Sequence, residues 1–378
     1  MATAKKIVKE AAENSILKPN AAVQELAPYK QGQSQAEGHE EPIKLSSNES
    51  PHGPSPLALK AYHDAGNTLF RYPDGAQVDL RAAIGDVFSL NPDQIVCGNG
   101  SEELQLLLVR AFLSAGDEVI FSENAFVMGK IHALAQGAKV VTAPEPNHHA
   151  SVDEILKRIT PETRMIMLAS PNNPIGDYMR RVDFMRLVEN TPSDVMILYD
   201  GAYGDYVTAS DYDPGFSAVD WAPNVVVTRT FSKLYGLAGL RIGWLYCDPS
   251  VMDPVQRIRT PFNANIAALA AAEAAVRDGA YAEKIREHNN EWLKRIKREL
   301  KALGLFVFPT VANFYLIRFS ATGPHTAKNA AAYLIDRGII PRPVAAGGPA
   351  DCLRITVGLD YENEAVLEAL TGFMSATN

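Results

Sequence analysis

Short apolar runs alternate with longer stretches of helical periodicity through the middle of the chain. The runs are rich in β-branched residues, which favour strands, and the stretches between them are long enough for crossover helices. These runs occupy residues 94–97, 118–121, 139–142, 165–169, 195–200 and 224–228. The alternation predicts an α/β fold in which helices cover both faces of a mostly parallel sheet.

The pattern changes on both sides of this region. Residues 1–54 are largely polar, and we interpret them as an N-terminal arm and part of a small domain, whereas residues 55–264 form the predicted large domain. The chain then becomes Ala-rich and afterwards charged, which predicts a smaller α+β domain over residues 265–378. Within it the pattern predicts one helix over 265–303 and strands near 305–308 and 314–319. A length of 378 residues suits two domains.

Charge and cysteine content narrow the kinds of partner and compartment. The formal net charge is -8, whereas nucleic acid and anionic membranes demand clustered Lys and Arg, so neither is an expected partner. Cys97, Cys247 and Cys352 lie far apart without a CxxC spacing, which predicts neither a disulfide framework nor a metal site. No apolar run has the length of a membrane span, and the N-terminus lacks the apolar core of a secretion signal. We expect a cytoplasmic protein that acts on small metabolites.

The segment 228–243 is the most informative for chemistry. A predicted strand runs out into hydroxyl groups, one lysine, small residues and an arginine. Lys233 can carry an aldehyde cofactor as an imine, provided that Thr230, Ser232 and Arg241 hold the cofactor phosphate beside it. The alternative is that Lys233 is an ordinary surface lysine and Arg241 an ordinary ion-pair partner.

Residues at the ends of two other predicted strands favour the cofactor hypothesis, because open α/β sheets bind ligands at this edge. Asp200 can face a pyridine nitrogen and keep it protonated, which makes the ring an electron sink. Tyr203 and Asn173 can donate hydrogen bonds to a phenolic oxygen on the same ring. The alternatives are a helix N-cap for Asp200, a half-buried surface aromatic for Tyr203 and a turn-former for Asn173.

A second candidate phosphate contact follows the first predicted strand. Gly100, Ser101 and Glu102 lie where an apolar-periodic helix begins, and backbone amides at a helix N-terminus bind phosphate. Phe126, early in the next crossover, can stack on the cofactor ring, although an aromatic there is more often part of the core.

Two arginines near the C-terminus are candidate anion contacts. Arg354 lies in a short β-like run with apolar neighbours, where a guanidinium requires a bidentate carboxylate such as that of an amino or oxo acid. Arg342 lies between two prolines in the same region. A buried structural ion pair and plain loop chemistry are the respective alternatives.

Together, these positions match a known family in residue type and order. Because of Asn173, Asp200, Tyr203, Lys233, Arg241 and Arg354, the chain resembles the fold-type I aminotransferases, which depend on pyridoxal 5'-phosphate. Within them it is most similar to the histidinol-phosphate aminotransferases, through residues 27–29, 45–54, 71–75, 232–241 and 353–358. The resemblance implies a large domain with a seven-stranded sheet. It also implies that the protein is a transaminase whose catalytic residues are Lys233, Asp200 and Tyr203.

The resemblance also implies partners and a reaction. Tyr72 would reach the cofactor phosphate of a neighbouring subunit in a homodimer with shared active sites, and Tyr29, Asn48, Arg342 and Arg354 would contact the substrate. The implied reaction converts histidinol phosphate and 2-oxoglutarate to imidazole-acetol phosphate and glutamate, a step of histidine biosynthesis. An aromatic or broad-specificity amino-acid aminotransferase is the alternative, followed by a decarboxylase or lyase and by a non-catalytic effector-binding protein.

Two departures from the family pattern bear on substrate preference. The loop before the carboxylate arginine often contains Tyr-Gly-Leu-Pro, whereas here residues 346–349 are Ala-Gly-Gly-Pro. The ring-stacking aromatic, often Tyr, is Phe126. The loop change predicts an altered preference for the substrate side chain.

Overall fold

A computed structural model of the protein describes residues 17–24, 26–29, 31–344 and 348–376. Its strands are β1 (Ile43–Lys44), β2 (Ile95–Gly98), β3 (Glu118–Ser122), β4 (Lys139–Ala143), β5 (Thr163–Ala169), β6 (Met196–Asp200), β7 (Val225–Thr230), β8 (Gly243–Cys247), β9 (Phe306–Val307), β10 (Phe314–Arg318), β11 (Ile339–Ile340), β12 (Arg342–Pro343) and β13 (Cys352–Thr356).

The helices cover the sheets and connect their strands. They are α1 (Ala21–Gln24), α2 (Pro56–Ala65), α3 (Val78–Phe88), α4 (Ser101–Phe112), α5 (Val127–Ala135), α6 (Val152–Leu156), α7 (Arg181–Asn190), α8 (Phe216–Val219), α9 (Pro249–Ile258), α10 (Ile266–Arg277), α11 (Gly279–Ala302), α12 (Ala327–Ile335) and α13 (Asp360–Ser375). Within the described ranges, no helix is long and apolar enough to cross a membrane.

The central sheet has seven strands in the order β2-β8-β7-β6-β5-β3-β4. Strand β8 runs antiparallel to both of its neighbours, and the other pairs are parallel. The predicted α/β fold with a mostly parallel, seven-stranded sheet is therefore confirmed. Because β5, β6 and β7 are parallel, the loops that follow them lie at one edge of the sheet.

Each of the six predicted strands is present, with ends shifted by at most two residues. Strand β8 was not predicted, although all five of its residues are buried. A short, continuous apolar run does not show whether it forms a strand or a buried helix segment, because it lacks a polar face.

The predicted single helix over 265–303 is wrong in one respect. The structure has two helices, α10 and α11, separated at Asp278. The backbone of Asp278 leaves the helical region (φ -86°, ψ 65°), and its side chain accepts a hydrogen bond from the Tyr281 amide at 3.2 Å. Asp278 is thus the N-cap of α11, a role in which Asp satisfies the amides that a new helix leaves unpaired.

A second, smaller sheet has the order β12-β13-β10-β9 and is antiparallel throughout. It packs with α11, α12 and α13 around a separate hydrophobic core that includes Leu45. Strand β1 pairs in parallel with β11, so the segment before the large sheet joins the C-terminal part of the chain. The domain boundaries at residues 54 and 264 remain predictions.

Candidate active site

Lys233 lies in the loop after β7, at the carboxyl edge of the large sheet. Its half-buried amine donates a hydrogen bond to the backbone oxygen of Ser47 at 3.2 Å, and it lies 5.6 Å from the centre of the Tyr203 ring. Burial and the nearby Arg354 guanidinium lower the pKa of Lys233 to about 8. Lys233 is therefore an amine that is partly neutral near physiological pH, as a nucleophilic lysine must be.

Asp200 ends the neighbouring strand β6. One carboxylate oxygen accepts hydrogen bonds from the Thr228 hydroxyl at 3.1 Å and from the Ala202 amide at 3.2 Å. Burial raises the pKa of Asp200, and hydrogen bonds from neighbouring side chains oppose that rise. A cationic N–H group placed against this carboxylate would favour its charged form.

Tyr203 is only 5% exposed, so it is not the surface aromatic of the alternative interpretation. Its hydroxyl accepts a hydrogen bond from the Asn48 side-chain amide at 2.8 Å, and its ring packs edge-on against Phe314 at 5.1 Å. Burial raises the pKa of Tyr203. The hydroxyl thus keeps its proton and is available as a donor.

The candidate phosphate site lies between α4 and the loop that follows Lys233. Gly100, with φ of +86°, turns the chain into the N-terminus of α4 at Ser101. A Cβ atom at Gly100 would lie 2.6 Å from the guanidinium of Arg241, so the arginine closely approaches this helix end. Arg241 also donates to the Ser232 hydroxyl at 3.3 Å, and the Ser232 amide donates to Thr230 at 3.1 Å. Backbone amides, hydroxyls and a guanidinium meet here, which is the donor set that a phosphate requires.

Arg354 and Asn173 join the two domains at the site. The Arg354 guanidinium is 8% exposed and donates to the Asn173 side-chain oxygen and to the Ser46 backbone oxygen, both at 2.7 Å. Arg354 forms no ion pair with a carboxylate of the described residues, and its buried Nε has no hydrogen-bond partner there. A buried structural ion pair is thus not what holds Arg354, and its orphaned donor fits an incoming anion. Arg342 lies directly opposite Arg354 in the β12–β13 register.

The remaining predicted contacts lie around this cluster. Glu102, in the first turn of α4, lies 3.7 Å from the Nε2 atom of His132, and this neighbour lowers the pKa of Glu102. Phe126 is 42% exposed at the N-cap of α5 and packs edge-on against Tyr29 at 6.2 Å. Phe126 is therefore not a core aromatic in this chain.

Tyr72 lies apart from the cluster within one chain. It is 81% exposed and stacks on Phe262 with ring centres 4.8 Å apart. The loop departure at Ala346 and Gly347 lies outside the described residues.

Several groups at the site were not found from the sequence. Thr228 holds Asp200, and the backbone oxygens of Ser46 and Ser47 hold Arg354 and Lys233. The sequence could have indicated Thr228 as a site residue, because it lies two positions before Thr230 on one strand and therefore on the same face of the sheet. The backbone oxygens carry none, since any residue type supplies them. In the described residues, no group of His, Cys, Asp and Glu side chains forms a candidate metal site.

Comparison with known proteins places this geometry in a family. The model of the family described as aminotransferase class I and II matches residues 40–370. A histidinol-phosphate aminotransferase of Paramagnetospirillum magneticum is 44% identical over 358 residues, which cover 95% of this chain and 99% of that protein. One from Rhodopseudomonas palustris is 43% identical over 358 residues, with 94% and 98% covered.

A solved structure agrees with these relatives. The histidinol-phosphate aminotransferase from Sinorhizobium meliloti, in complex with pyridoxal-5'-phosphate, has a TM-score of 0.89 and 26% identity. The match covers 96% of this chain and 99% of that one. The chain therefore belongs to the class I and II aminotransferase family.

Proposed function

We propose that this protein is a pyridoxal-phosphate-dependent histidinol-phosphate aminotransferase. The observation that carries the proposal is the position of the Lys233 amine at the carboxyl edge of the sheet, 5.6 Å from the centre of the Tyr203 ring, where burial and the Arg354 guanidinium lower its pKa. Relatives that carry this name match nearly the full length of the chain.

The residues present fit the cofactor. The donors around Gly100, Ser232 and Arg241 suit a phosphate, and the carboxylate of Asp200 suits a protonated ring nitrogen. Asn173 was predicted to donate a hydrogen bond to the phenolic oxygen of the cofactor. Its side-chain oxygen accepts from Arg354, and its side-chain NH₂ group is the donor that this role requires. When bound, pyridoxal phosphate supplies an aldehyde that reacts with amines and a ring that withdraws electrons from the substrate α-carbon.

Each catalytic side chain then has a defined task. Lys233 would hold the cofactor aldehyde through its amine, and the same amine, with a pKa of about 8, would accept the proton of the substrate α-carbon near neutral pH. The carboxylate of Asp200 would keep the cofactor ring nitrogen protonated, and Tyr203, whose hydroxyl keeps its proton because it is buried, would donate to the phenolic oxygen of the ring.

The two substrates must share one anion site, because histidinol phosphate brings a phosphate and glutamate a carboxylate. Arg342 and Arg354 are paired in register on the neighbouring strands β12 and β13, and their guanidinium groups suit both anions. The edge-on pair of Tyr29 and Phe126 offers an aromatic wall for the substrate side chain.

A homodimer belongs to the proposal. Leu69, Phe70 and Tyr72 are 66%, 77% and 81% exposed in one short segment. Such a run of exposed apolar side chains is typical of a surface that a partner covers. In the dimer Tyr72 would contact the cofactor phosphate of the partner, so each site would require both chains.

We place the enzyme in the cytoplasm. Cys97, Cys247 and Cys352 are buried and unpaired, and burial raises their pKa to about 12, 12 and 11. Unpaired cysteines suit a reducing compartment, where thiols are kept reduced.

Cofactor attachment is tested by reduction with borohydride. The purified protein with pyridoxal phosphate should absorb near the visible edge, and reduction should fix the cofactor mass on the peptide that contains Lys233. The Lys233→Ala variant should carry no such adduct, whereas Lys294→Ala, which removes a lysine of α11, should carry it. A protein that binds no cofactor would refute the cofactor assignment.

Substrate identity needs a separate assay. Glutamate formation from 2-oxoglutarate is measured with histidinol phosphate, phenylalanine or tyrosine as amino donor. The highest kcat/KM with histidinol phosphate would support the proposal. A preference for phenylalanine or tyrosine would assign the chain to the aromatic aminotransferases, and no transfer from any donor would contradict the transaminase assignment.

A further inference from the structure

Strand β7 presents three polar side chains in succession at the edge of the active site. Thr228 binds Asp200, and Thr230 accepts from the amide of Ser232 in the phosphate site. Alternation along a strand places Arg229 on the opposite face. Arg229 is only 2% exposed and takes no part in the reaction described above.

The guanidinium of Arg229 lies beneath the turn that carries Tyr203. It donates to the backbone oxygen of Gly201 at 3.1 Å and to that of Pro214 at 3.4 Å. It also lies 3.9 Å from the carboxylate of Asp205. Both ends of the turn that follows Asp200 are therefore fixed to one side chain.

The two glycines of this turn are explained by the same side chain. A Cβ atom at Gly201 would lie 2.8 Å from Arg229, and a Cβ atom at Gly204 would overlap its guanidinium. Neither glycine has a positive φ, so the requirement is space and not backbone conformation. The backbone on both sides of Tyr203 thus lies directly on the guanidinium.

Simple packing does not account for an arginine here. Its Nε is buried without a hydrogen-bond partner, which costs about 1–3 kcal/mol. An apolar side chain of similar volume would avoid this cost, but it would leave the carboxylate of Asp205 and the backbone oxygens of Gly201 and Pro214 without this partner. Burial raises the pKa of Asp200, and the charge of Arg229 is among the influences that oppose this rise.

We infer that Arg229 is a positioning residue, which acts on the cofactor through the Gly201–Gly204 backbone by fixing the hydroxyl of Tyr203 and the carboxylate of Asp200. The inference rests on the proposed function, because it assigns a purpose to the position of those two groups. Arg229 itself does not touch the reacting atoms.

The test compares variants by a property of the bound cofactor. Arg229→Lys keeps the charge but loses the fork that binds two carbonyls, and Arg229→Gln removes the charge as well. Arg164→Lys is the matched control. Arg164 also donates to two backbone oxygens, both at 2.9 Å, but it lies at the start of strand β5, away from the active-site edge of the sheet. The pH midpoint of the absorbance of the bound cofactor is measured for each.

We expect Arg229→Lys to raise this midpoint by about half a pH unit or more, because a displaced Tyr203 donor stabilises the deprotonated cofactor less well. The dissociation constant of pyridoxal phosphate should rise about tenfold, a loss that one displaced hydrogen-bonding group produces. Arg229→Gln should show larger changes and Arg164→Lys none. Folded Arg229 variants with the wild-type midpoint would overturn the inference.

Two further measurements keep the test decisive. If the Arg229 variants do not fold, Asp205→Asn replaces them: a raised midpoint supports the inference and an unchanged one overturns it. In the protein without cofactor, hydrogen exchange of residues 200–206 should rise in Arg229→Lys and stay unchanged in Arg164→Lys, and equal exchange in both would also overturn it. A wild type that binds no cofactor would contradict the proposed function, while the exchange result would still decide whether Arg229 fixes the turn.

Discussion

The amine of Lys233 lies among groups that shift its pKa in opposite directions. Burial and Arg354 lower its pKa to about 8, whereas Glu49 and Asp200 act to raise it. The pKa is lowered overall because the half-buried ammonium loses hydration that the carboxylates of Glu49 and Asp200 do not replace. Free lysine side chains have a pKa near 10.5, so the neutral form of Lys233 is present at a pH where other lysines are charged.

This difference predicts the pH dependence of a chemical modification. In the protein without cofactor, reductive methylation of Lys233 should follow a midpoint near pH 8, well below that of surface lysines. Arg354→Gln removes a positive charge and should shift the Lys233 midpoint upwards. Arg337→Gln, which alters an exposed arginine beside Asp336, should leave it unchanged. Peptide mass spectrometry gives the rate at each lysine, and a Lys233 midpoint equal to that of surface lysines would contradict the prediction.

Asn48 is a second site residue that few other residue types could replace. It is 1% exposed, adopts a left-handed backbone conformation with φ of 56°, and donates to the hydroxyl of Tyr203. Asn is among the few residues that tolerate this conformation, and its amide leaves the proton of Tyr203 free to point elsewhere.

Replacing Asn48 by Asp keeps the shape and removes the donor. A carboxylate can only accept, so it would accept the hydrogen bond of the Tyr203 hydroxyl and turn that donor away from the cofactor. We expect the single-turnover rate to fall about tenfold to a hundredfold, the equivalent of one disrupted buried hydrogen bond. Asn67→Asp, at an exposed amide that binds Asp64, is the control. An unchanged rate in a folded Asn48→Asp variant would show that the donor is not needed.

At the scale of elements, the candidate phosphate site depends on the close approach of the start of β8 to the N-terminus of α4. Gly243 begins β8 beside the N-terminus of α4, and a Cβ atom there would overlap the amide of Ser101. It would also lie 2.8 Å from the backbone of Gly100 and of Arg229. Backbone atoms cannot turn aside as a flexible side chain can, so the helix end itself would have to move.

Gly243→Ala should therefore weaken cofactor binding. We expect the dissociation constant of pyridoxal phosphate to rise about tenfold or more, since overpacking of this kind costs about 1–3 kcal/mol. Gly239→Ala, four residues earlier in the loop before β8, is the matched control, because a Cβ atom there meets no atom within 4 Å. Titration of the cofactor-free protein by absorbance compares the two. Equal affinities would mean that the helix end does not bind the phosphate.

The elements differ in how far the sequence predicts them. Strands β5, β6 and β7 were predicted because short apolar runs bounded by turns indicate strands. Strands β1, β11 and β12 have two residues each, too few for any periodicity to appear. The break between α10 and α11 also escaped, although Asp278 before the apolar Tyr281 is an ordinary N-cap signal.

At the scale of the whole molecule, the sequence predicts one half of the site better than the other. A parallel sheet brings Asn173, Asp200 and Lys233 to one edge, so their proximity follows from the fold class. The contact of Arg354 with Asn173 joins residues 181 positions apart across two domains. Nothing local in the sequence specifies how the domains pack, and the partner of Arg354 was for that reason not predicted.

The proposed homodimer leads to the last prediction, which concerns complementation between subunits. Lys233 belongs to the site of its own chain, whereas exposed Tyr72 would complete the site of the partner. In a mixed dimer of Lys233→Ala and Tyr72→Ala, both lesions fall in one site and the other site is intact. Equal mixing of two inactive variants, by refolding together, should restore about a quarter of wild-type activity, since half of the dimers are mixed and each has one good site. Mixing Lys233→Ala with Asp200→Ala should restore none, because both residues serve the site of their own chain. Recovery in neither mixture would contradict the contribution of Tyr72 to the partner, and recovery in both would mean that Asp200 acts across the interface.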